Sequence, residues 1–277
     1  MARCPVCFRH CELPEGVTGP CGARACRDGA VRPLWYGQVS SLALDPIEKK
    51  PLYHFHPGSR ILSVGSLGCN LRCPFCQNHE IAQQAPGGGF RVSTEKISPE
   101  ELAGIAERCR PRGNIGVAFT YNEPLVGYEY VRDTAKLVHE RGMLNVLVTN
   151  GTASPEILEE IAPVIDAMNI DLKGFTDRYY TEVLGGNRQM VMDFIREAVK
   201  RCHVELTTLI VPGENDTEEE ILALSGWIAE LGDIPLHLSR FFPRCRMKDR
   251  PPTDTALVYR LVRAAKRNLT WVYPGNC

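Results

Sequence analysis

The sequence predicts an α/β fold, a partial (β/α)6-type, TIM-like barrel preceded by a cysteine-rich N-terminal extension. From residue 60 onward, short β-branched runs bounded by glycine, proline or asparagine alternate with helical patterns. Such alternation implies parallel strands joined by right-handed crossovers. At least six units of this kind favour a full or partial barrel over an open sheet, and 277 residues are enough to build one.

The predicted strands are short, rich in β-branched residues and closed by a turn-forming residue. They cover residues 60–65, 114–120, 145–149, 167–172, 204–211, 235–241 and 269–273. Residues 60–277 therefore form the predicted barrel domain, with a glycine-rich loop at 86–89. Residues 1–59 form the predicted extension, which begins rich in cysteine and proline and is strand-like over 37–44.

Capping residues mark the predicted helix starts. A hydroxyl at the N-cap with glutamate three positions later satisfies two free N–H groups, and proline at the first helical position has no N–H to lose. Ser98 is followed by both Pro99 and Glu101, Ser154 by Pro155, and Thr217 by Glu220. Further helices are predicted at 125–140, 190–201 and 254–267.

Composition limits the function classes. The chain has 32 Lys and Arg against 33 Asp and Glu, so no global basic field favours nucleic-acid binding. No run of 18 apolar residues predicts a membrane span, and the first residues lack the apolar core of a signal peptide. We therefore expect a cytoplasmic protein. In a reducing compartment its 12 cysteines indicate metal binding rather than disulfides.

The carboxyl ends of the predicted strands carry the candidate site, as is typical of parallel β/α folds. Cys69, Cys73 and Cys76 follow the first strand with C-x3-C-x2-C spacing. Thiolates favour zinc or iron–sulfur clusters, and three of them leave one metal position open for a reacting ligand. A zinc site completed by His79 is the alternative. Polar candidates at the other strand ends are Asn122, Glu123, Asn150, Asp171, Lys173, Ser239 and Arg240.

The cysteine loop resembles that of the radical S-adenosylmethionine (SAM) superfamily, with Phe75 as the aromatic residue before the third cysteine. The resemblance implies a barrel of the radical SAM type and a [4Fe-4S] cluster held by Cys69, Cys73 and Cys76. It also implies that SAM binds the open iron. One electron then cleaves SAM to methionine and a 5′-deoxyadenosyl radical, which abstracts hydrogen from a substrate. An electron donor of the flavodoxin or ferredoxin type is implied as a partner.

Other strand ends resemble glycyl-radical enzyme activases. Asn122-Glu123-Pro124 is similar to a Gly-Gly-Glu-Pro element that meets the SAM amino group, although Tyr121 and Asn122 replace the glycines. Asp171-Leu-Lys173 is similar to an Asp-x-Lys element beside the methionine moiety. The activase histidine after the sixth strand is matched in position by Phe242. Asn150, Ser239 and Arg240 are candidates for contacts to SAM or substrate.

One subgroup is more similar still, the AmmeMemoRadiSam-system radical SAM enzymes, often grouped with pyruvate formate-lyase activating enzymes. The resemblance covers most of the chain, and its partner proteins become candidate partners here. The matching segments are Cys4–Cys21, Leu44-Asp-Pro-Ile-Glu-Lys-Lys-Pro-Leu, Cys76-Gln-Asn, Thr120-Tyr-Asn-Glu-Pro, Asn169-Ile-Asp-Leu-Lys-Gly-Phe and His237-Leu-Ser-Arg-Phe.

A second cysteine group lies near the N-terminus. Four thiolates suit a closed structural site, which holds either zinc or an auxiliary [4Fe-4S] cluster. Cys26 is spare and is an alternative to the fourth ligand, whereas Cys109 and Cys202 are interpreted as core residues. The predicted ligands are Cys4, Cys7, Cys11 and Cys21.

Three functions follow from these observations. The first is a radical SAM oxidoreductase acting on an unidentified small-molecule or protein substrate. The second is an activase that acts on a glycine of a glycyl-radical enzyme. The third, from another class, is a non-catalytic zinc or iron–sulfur interaction protein, which would leave the polar strand ends without a role.

Overall fold

The computed structural model describes residues 1–85 and 88–277, so Pro86 and Gly87 of the glycine-rich loop lie outside the described residues. The strands are β1 (Ala2–Arg3), β2 (Glu12–Leu13), β3 (Arg24–Arg27), β4 (Ala30–Pro33), β5 (Gln38–Val39), β6 (Ser41–Pro46), β7 (Arg60–Gly65), β8 (Glu95–Lys96), β9 (Asn114–Phe119), β10 (Leu144–Thr149), β11 (Ala167–Asp171), β12 (His203–Ile210), β13 (Leu236–Arg240) and β14 (Val272–Gly275). The α-helices are α1 (His79–Ala82), α2 (Pro99–Arg108), α3 (Tyr128–Glu140), α4 (Pro155–Ile161), α5 (Arg188–Ala198), α6 (Glu218–Leu231) and α7 (Thr255–Ala265).

The main sheet confirms the predicted α/β class. Its strand order is β14-β13-β12-β11-β10-β9-β7-β6, and the strands from β7 to β14 pair in parallel. Strand β6 pairs antiparallel with β7, from Ser41 opposite Gly65 to Pro46 opposite Arg60. Among the described strands, β6 and β14 each have one neighbour, so the barrel is partial rather than closed.

All seven predicted barrel strands form, with one clear shift. The last begins at Val272 rather than residue 269, because the Leu269 N–H still donates to the Ala265 carbonyl at the end of α7. The boundary predicted between residues 59 and 60 falls inside the β6–β7 hairpin of the main sheet.

The three predicted capping patterns have different outcomes. Ser98 and Glu101 form the reciprocal capping box of α2. At the start of α4, Ser154 makes no side-chain cap hydrogen bond. Its N–H donates instead to the carbonyl of Val6 in the N-terminal extension, 2.8 Å away. This N-cap residue therefore also anchors the extension.

The predicted capping box of α6 is only half formed. Thr217 Oγ1 accepts from the Glu220 N–H at 3.2 Å. The Glu220 carboxylate, however, accepts from the Phe175 N–H at 2.6 Å. The Glu220 side chain, which the local sequence predicts to bond back to the Thr217 N–H, therefore forms a tertiary contact with the loop after β11 instead.

The main sheet buries an apolar layer on each of its two faces. The larger core lies under the helices and includes Leu62, Val117 and Leu147. A smaller cluster, here called the inner core, lies on the opposite face and combines strand residues with two residues of the β6–β7 connection. Its buried members are Ile47, Leu52, Ile61, Ala118, Val146 and Ala167. The connection thus fills part of the inner face with its own side chains.

The inner face also carries a buried carboxylate. Glu205 of β12 is fully buried and accepts from the N–H groups of Tyr53 and His54 at 3.0 and 2.7 Å. The Nε2 atoms of His203 and His237 lie 3.0 and 2.7 Å from its two oxygens. Burial alone raises the pKa of Glu205, but these hydrogen bonds outweigh burial and lower it to about 2. Glu205 therefore ties β12, β13 and the β6–β7 connection together as an ion.

The N-terminal extension is attached to the barrel by a buried ion pair. Arg24, 3% exposed, donates from both terminal nitrogens to Glu129 of α3 at 2.9 and 2.7 Å. Arg24 also donates to the Val126 carbonyl at 3.1 Å.

We expect Arg24→Met to lower the free energy of unfolding by about 2 kcal/mol, because Glu129 would lose a bidentate partner in a half-buried position. Urea denaturation measures this loss. Arg32→Met, an exposed position in the same hairpin, is the matched control. Equal stability of the two variants would contradict the assigned role of the ion pair.

No helix in residues 1–85 and 88–277 is long and apolar enough to cross a membrane.

Candidate active site

A cavity of ≈ 360 Å³ opens at the carboxyl ends of the parallel strands. Seven strands spaced about 4.8 Å apart would span about 29 Å if the sheet were flat. One cavity reaches residues beyond β7 and beyond β14, so the sheet is curved around it. The site candidates that line it are Cys69, Cys73, Phe75, Cys76, Asn122, Glu123, Asn150, Asp171, Lys173 and Ser239.

The three cysteines of the loop after β7 face this cavity as free thiols. Burial raises the pKa of all three; the pKa of Cys73 rises to about 11, and that of Cys69 lies well above its ordinary value. Such thiols ionise only when a cation binds them. Within the described ranges, no three Cys, His, Asp or Glu side chains already lie in metal-binding geometry. Three soft donors from one loop, facing one cavity, fit an iron–sulfur cluster with one open iron.

Amide groups surround the first cysteine. The Leu71 N–H donates to Cys69 Sγ at 3.4 Å, and Asn150 Nδ2 lies 3.6 Å from the same sulfur. Asn150 Nδ2 also donates to Asn70 Oδ1 at 2.9 Å, and Asn70 Nδ2 donates to the Thr152 carbonyl at 2.7 Å. Hydrogen bonds to cluster sulfurs tune the reduction potential. The side-chain amide of Asn150 is therefore positioned to donate a hydrogen bond to the sulfur of Cys69.

Glu123 joins two strand ends. Its buried carboxylate accepts from the Leu125 N–H at 3.0 Å, from Thr149 Oγ1 at 2.7 Å and from the Asn150 N–H at 2.7 Å. Burial raises the pKa of Glu123 to about 7 despite these donors. The carboxylate thus fixes the end of β10 relative to the turn after β9, at the wall of the cavity.

The two residues that replace glycines of the activase pattern have defined roles. Asn122 Oδ1 accepts from the Ser66 N–H at 2.9 Å, and Asn122 Nδ2 donates to the Gly68 carbonyl at 3.0 Å. Tyr121 has φ 72°, a left-handed conformation in which a bulky side chain costs about 1–3 kcal/mol. The chain therefore keeps a glycine-like backbone at residue 121 while adding an aromatic side chain.

Asp171 and Lys173 form an ion pair at the end of β11. Lys173 Nζ donates to Asp171 Oδ2 at 2.8 Å. Burial lowers the pKa of Lys173, but the charges of Asp171 and Cys73 outweigh burial and raise it above its ordinary value. In return, the Lys173 charge lowers the thiol pKa of Cys73 and Cys76. A permanent cation thus lies beside the cysteine loop.

A pair of adjacent lysines lines another part of the cavity. Lys49 and Lys50 both lie in the lining, and each donates to the carboxylate of Asp45, at 3.2 and 3.0 Å. Tyr121 OH donates to the same carboxylate at 2.9 Å, and Lys50 Nζ lies 4.9 Å from the Tyr121 ring centroid. Here these residues are called the lysine wall: Asp45, Lys49, Lys50 and Tyr121. Sequence reasoning noted the Lys-Lys pair only as part of a resemblance.

Arg240 does not line the cavity. Its Nε donates to the Thr253 carbonyl at 2.6 Å, and its guanidinium lies 4.8 Å from the Phe242 ring centroid. Successive residues of a strand point to opposite faces, so Ser239 and Arg240 cannot both face the site. The expectation that Arg240 faces the site is therefore not met, and the inward residue at this strand end is Ser239.

The four N-terminal cysteines predicted as metal ligands lie around one cavity. Cys4, Cys7, Cys11 and Cys21 line one cavity of ≈ 20 Å³ between the extension and the barrel. Burial, and then the charges of Cys4 and Cys21, raise the pKa of the Cys7 thiol to about 11. Cys26 does not line this cavity and donates to Glu15 Oε2 at 3.5 Å instead.

The two cysteine groups are adjacent. The Cys69 N–H donates to the Cys21 carbonyl at 3.2 Å. Gly68, with φ 94°, packs so closely here that a Cβ would lie 2.7 Å from that carbonyl oxygen. Asn70 lines the N-terminal cavity and also contacts Asn150 of the active-site cavity. Neither contact has a signal in the sequence, because both join segments that are distant along the chain.

Sequence comparisons point to one superfamily. The family model described as the radical SAM superfamily matches residues 63–225. An uncharacterized protein of Methanocaldococcus jannaschii is 40% identical over 279 residues, covering 99% of this chain and 81% of that protein. The pyruvate formate-lyase-activating enzyme of Clostridium pasteurianum is 30% identical over 183 residues, covering 64% of this chain and 73% of the enzyme. The pyruvate formate-lyase 1-activating enzyme of Escherichia coli is 25% identical over 181 residues, covering 64% of this chain and 72% of the enzyme.

Solved structures share the fold. A domain of a pyruvate-formate lyase-activating enzyme from Bacteroides vulgatus has a TM-score of 0.51 at 18% identity, over 58% of this chain and 99% of that domain. Streptococcus suis SuiB bound to S-adenosylmethionine has a TM-score of 0.59 at 15% identity, over 76% of this chain and 48% of SuiB.

Proposed function

Because the chain belongs to the radical SAM superfamily, we propose that it is an oxidoreductase that cleaves SAM reductively and abstracts hydrogen from a substrate bound in the same cavity. The supporting observation is that one cavity is lined both by the three thiols of the loop after β7 and by polar residues from the other strand ends. A cluster held there by the three thiolates would supply one electron to SAM, and that electron would come from a donor of the flavodoxin or ferredoxin type.

The residues of the cavity have separable roles in this proposal. Cys69, Cys73 and Cys76 hold the cluster. Asn150 donates toward the sulfur of Cys69, and Lys173 holds a positive charge beside the cysteine loop. We further propose SAM contacts for Phe75, Asn122, Glu123, Asn150, Asp171, Lys173 and Ser239.

SAM binding tests this function directly. Anaerobically reconstituted, reduced protein should give a cluster EPR spectrum that changes when SAM is added. An interaction protein with a purely structural metal site would give no change. An unchanged spectrum in cluster-loaded protein would therefore refute the proposed function and favour that alternative.

A glycyl-radical activase is the second candidate. The Asp171–Lys173 pair and the similarity to activating enzymes favour kinship with that group. We propose instead that the chain is an AmmeMemoRadiSam-system enzyme acting with its partner proteins, on the strength of the N-terminal cysteines and the Leu44–Leu52 motif. A gene for a glycyl-radical enzyme beside the gene for this chain would favour the activase.

The N-terminal cysteines form a second proposed metal site. All four thiols line one small cavity. Four thiolates are a typical closed zinc site, and we propose zinc here. The alternative is an auxiliary [4Fe-4S] cluster, and quantitation of zinc and iron distinguishes the two.

We expect the double variant Cys4→Ala/Cys7→Ala to lose about one zinc per chain, because two of four ligands are removed. Zinc and iron quantitation on anaerobic protein measures the change. Cys26→Ala is the control and should keep its zinc, since Cys26 bonds to Glu15 outside the cavity. Unchanged metal content in the double variant would contradict the site.

A further inference from the structure

The lysine wall is held rigidly at the cavity. On either side of Lys49 and Lys50, the buried residues Ile47 and Leu52 pack into the inner core. Lys50 is itself 3% exposed, although lysine is rarely buried. Two buried apolar side chains therefore fix the segment that places the ammonium group of Lys50 at the cavity.

The charges of the lysine wall do not balance. Lys49 and Lys50 share the single carboxylate of Asp45, which leaves a net positive charge. Burial and hydrogen bonding act in opposite directions on the pKa of Asp45, and the hydrogen bonds from Lys50 and Tyr121 keep it well below its ordinary value. Burial lowers the pKa of Lys50 more than Asp45 raises it, as expected for an under-compensated cation.

Lys50 also has unused hydrogen-bonding capacity. An ammonium group has three donors, and within the described residues Lys50 Nζ makes one hydrogen bond, to Asp45 Oδ2. The centroid of the Tyr121 ring lies 4.9 Å from the ammonium nitrogen. Tyr121 holds this position in a left-handed backbone conformation, so a strained residue is maintained at this point.

We propose that Lys50 binds a carboxylate or phosphate group of the substrate, so that the substrate is a small anionic molecule. This inference rests on the proposed function, because it concerns the same cavity. The lysine beside the cysteine loop is Lys173, which pairs with Asp171, whereas Lys50 must share the carboxylate of Asp45 with Lys49. Lys50 is thus available to bind a ligand in the part of the cavity that the β6–β7 connection lines. The glycine residue on which an activase would act carries no carboxylate or phosphate group, so this proposal favours a small-molecule substrate over a protein glycine.

Calorimetric titration of cluster- and SAM-loaded protein with inorganic phosphate and with succinate tests the proposal. The wild type should bind at least one probe, and the tighter probe identifies the group as phosphate or carboxylate. Lys50→Met should weaken that binding about 10-fold or more, since a charge-assisted hydrogen bond is lost. Lys136→Met, an exposed lysine on α3, is the matched control and should bind as the wild type does.

A second variant has the opposite expected sign. Asp45→Asn removes the carboxylate that competes for Lys50, so binding should tighten about threefold, a gain that general damage does not produce. If Lys50→Met does not fold, this variant decides alone, and unchanged or weaker binding overturns the proposal. Equal binding by the wild type and Lys50→Met, or no binding of either probe by the wild type, also overturns it. The EPR response of wild-type protein to SAM, measured separately, shows whether the proposed function itself has failed.

Discussion

Cys73→Ala should reduce 5′-deoxyadenosine formation from SAM more than about 100-fold in dithionite-reduced protein, since changes outside the ligand set already cost roughly 10–100-fold in metal affinity or activity. Cys73 is a buried thiol in the centre of the loop after β7 and lines the active-site cavity. Removing it leaves two thiols for a cluster that needs three. Chromatographic quantitation of 5′-deoxyadenosine, together with iron and sulfide content, measures the loss.

The matched control for this experiment is Cys109→Ala. Cys109 is a half-buried cysteine at the end of α2 and does not line the cavity. It should retain both its cluster and its cleavage activity. Cleavage of SAM by Cys73→Ala at the wild-type rate would show that the cysteine loop does not hold the catalytic cluster.

Glu205→Gln should lower the free energy of unfolding by about 3 kcal/mol, because buried N–H donors that the carboxylate satisfies would lose an acceptor. The variant loses the charge that accepts from His203 and His237, and its amide group cannot accept from two backbone N–H groups as the carboxylate does. Urea denaturation at neutral pH measures the loss. Glu219→Gln, at an exposed position of α6, is the control and should be nearly neutral.

The same variant predicts a pH dependence. The folded pKa of Glu205, about 2, lies below its ordinary value of 4.5. Its ionisation therefore contributes about 3 kcal/mol that is fully present above pH 4.5 and is lost as the pH falls through about 2. The stability gap between wild type and Glu205→Gln should narrow over that window. A constant gap from pH 6 to pH 2.5 would contradict the ionised state of Glu205.

The strands and the cysteine loop were predictable because their signals are local. The β-branched runs at 114–120 and 204–211 form β9 and β12, and C-x3-C-x2-C spacing places three thiols on one loop. Errors arose where a distant group competed for a side chain. Glu220 bonds to Phe175 instead of closing its cap, and strand alternation turns Arg240 away from the cavity.

The lysine wall was not predictable as part of the site, for a physical reason. Lys50 reaches the cavity only because the β6–β7 connection folds onto the inner face of the sheet, and no periodicity in residues 47–59 encodes that. The burial of Glu205 was not predictable either. A glutamate in a β-branched run is expected to face solvent, and only the fold brings His203, His237 and two backbone N–H groups around it.

The attachment of the extension has a kinetic consequence. Val6 bonds to Ser154 at the start of α4, Arg9 donates to the Gly185 carbonyl, and Arg24 pairs with Glu129 of α3. These contacts reach three different β/α units, so the segment from Val6 to Arg24 cannot detach as a whole without releasing all of them. Amide exchange in the extension then follows global unfolding rather than fraying. The two buried thiols of this group, Cys4 and Cys7, should accordingly react with chelators and oxidants at a rate limited by that opening.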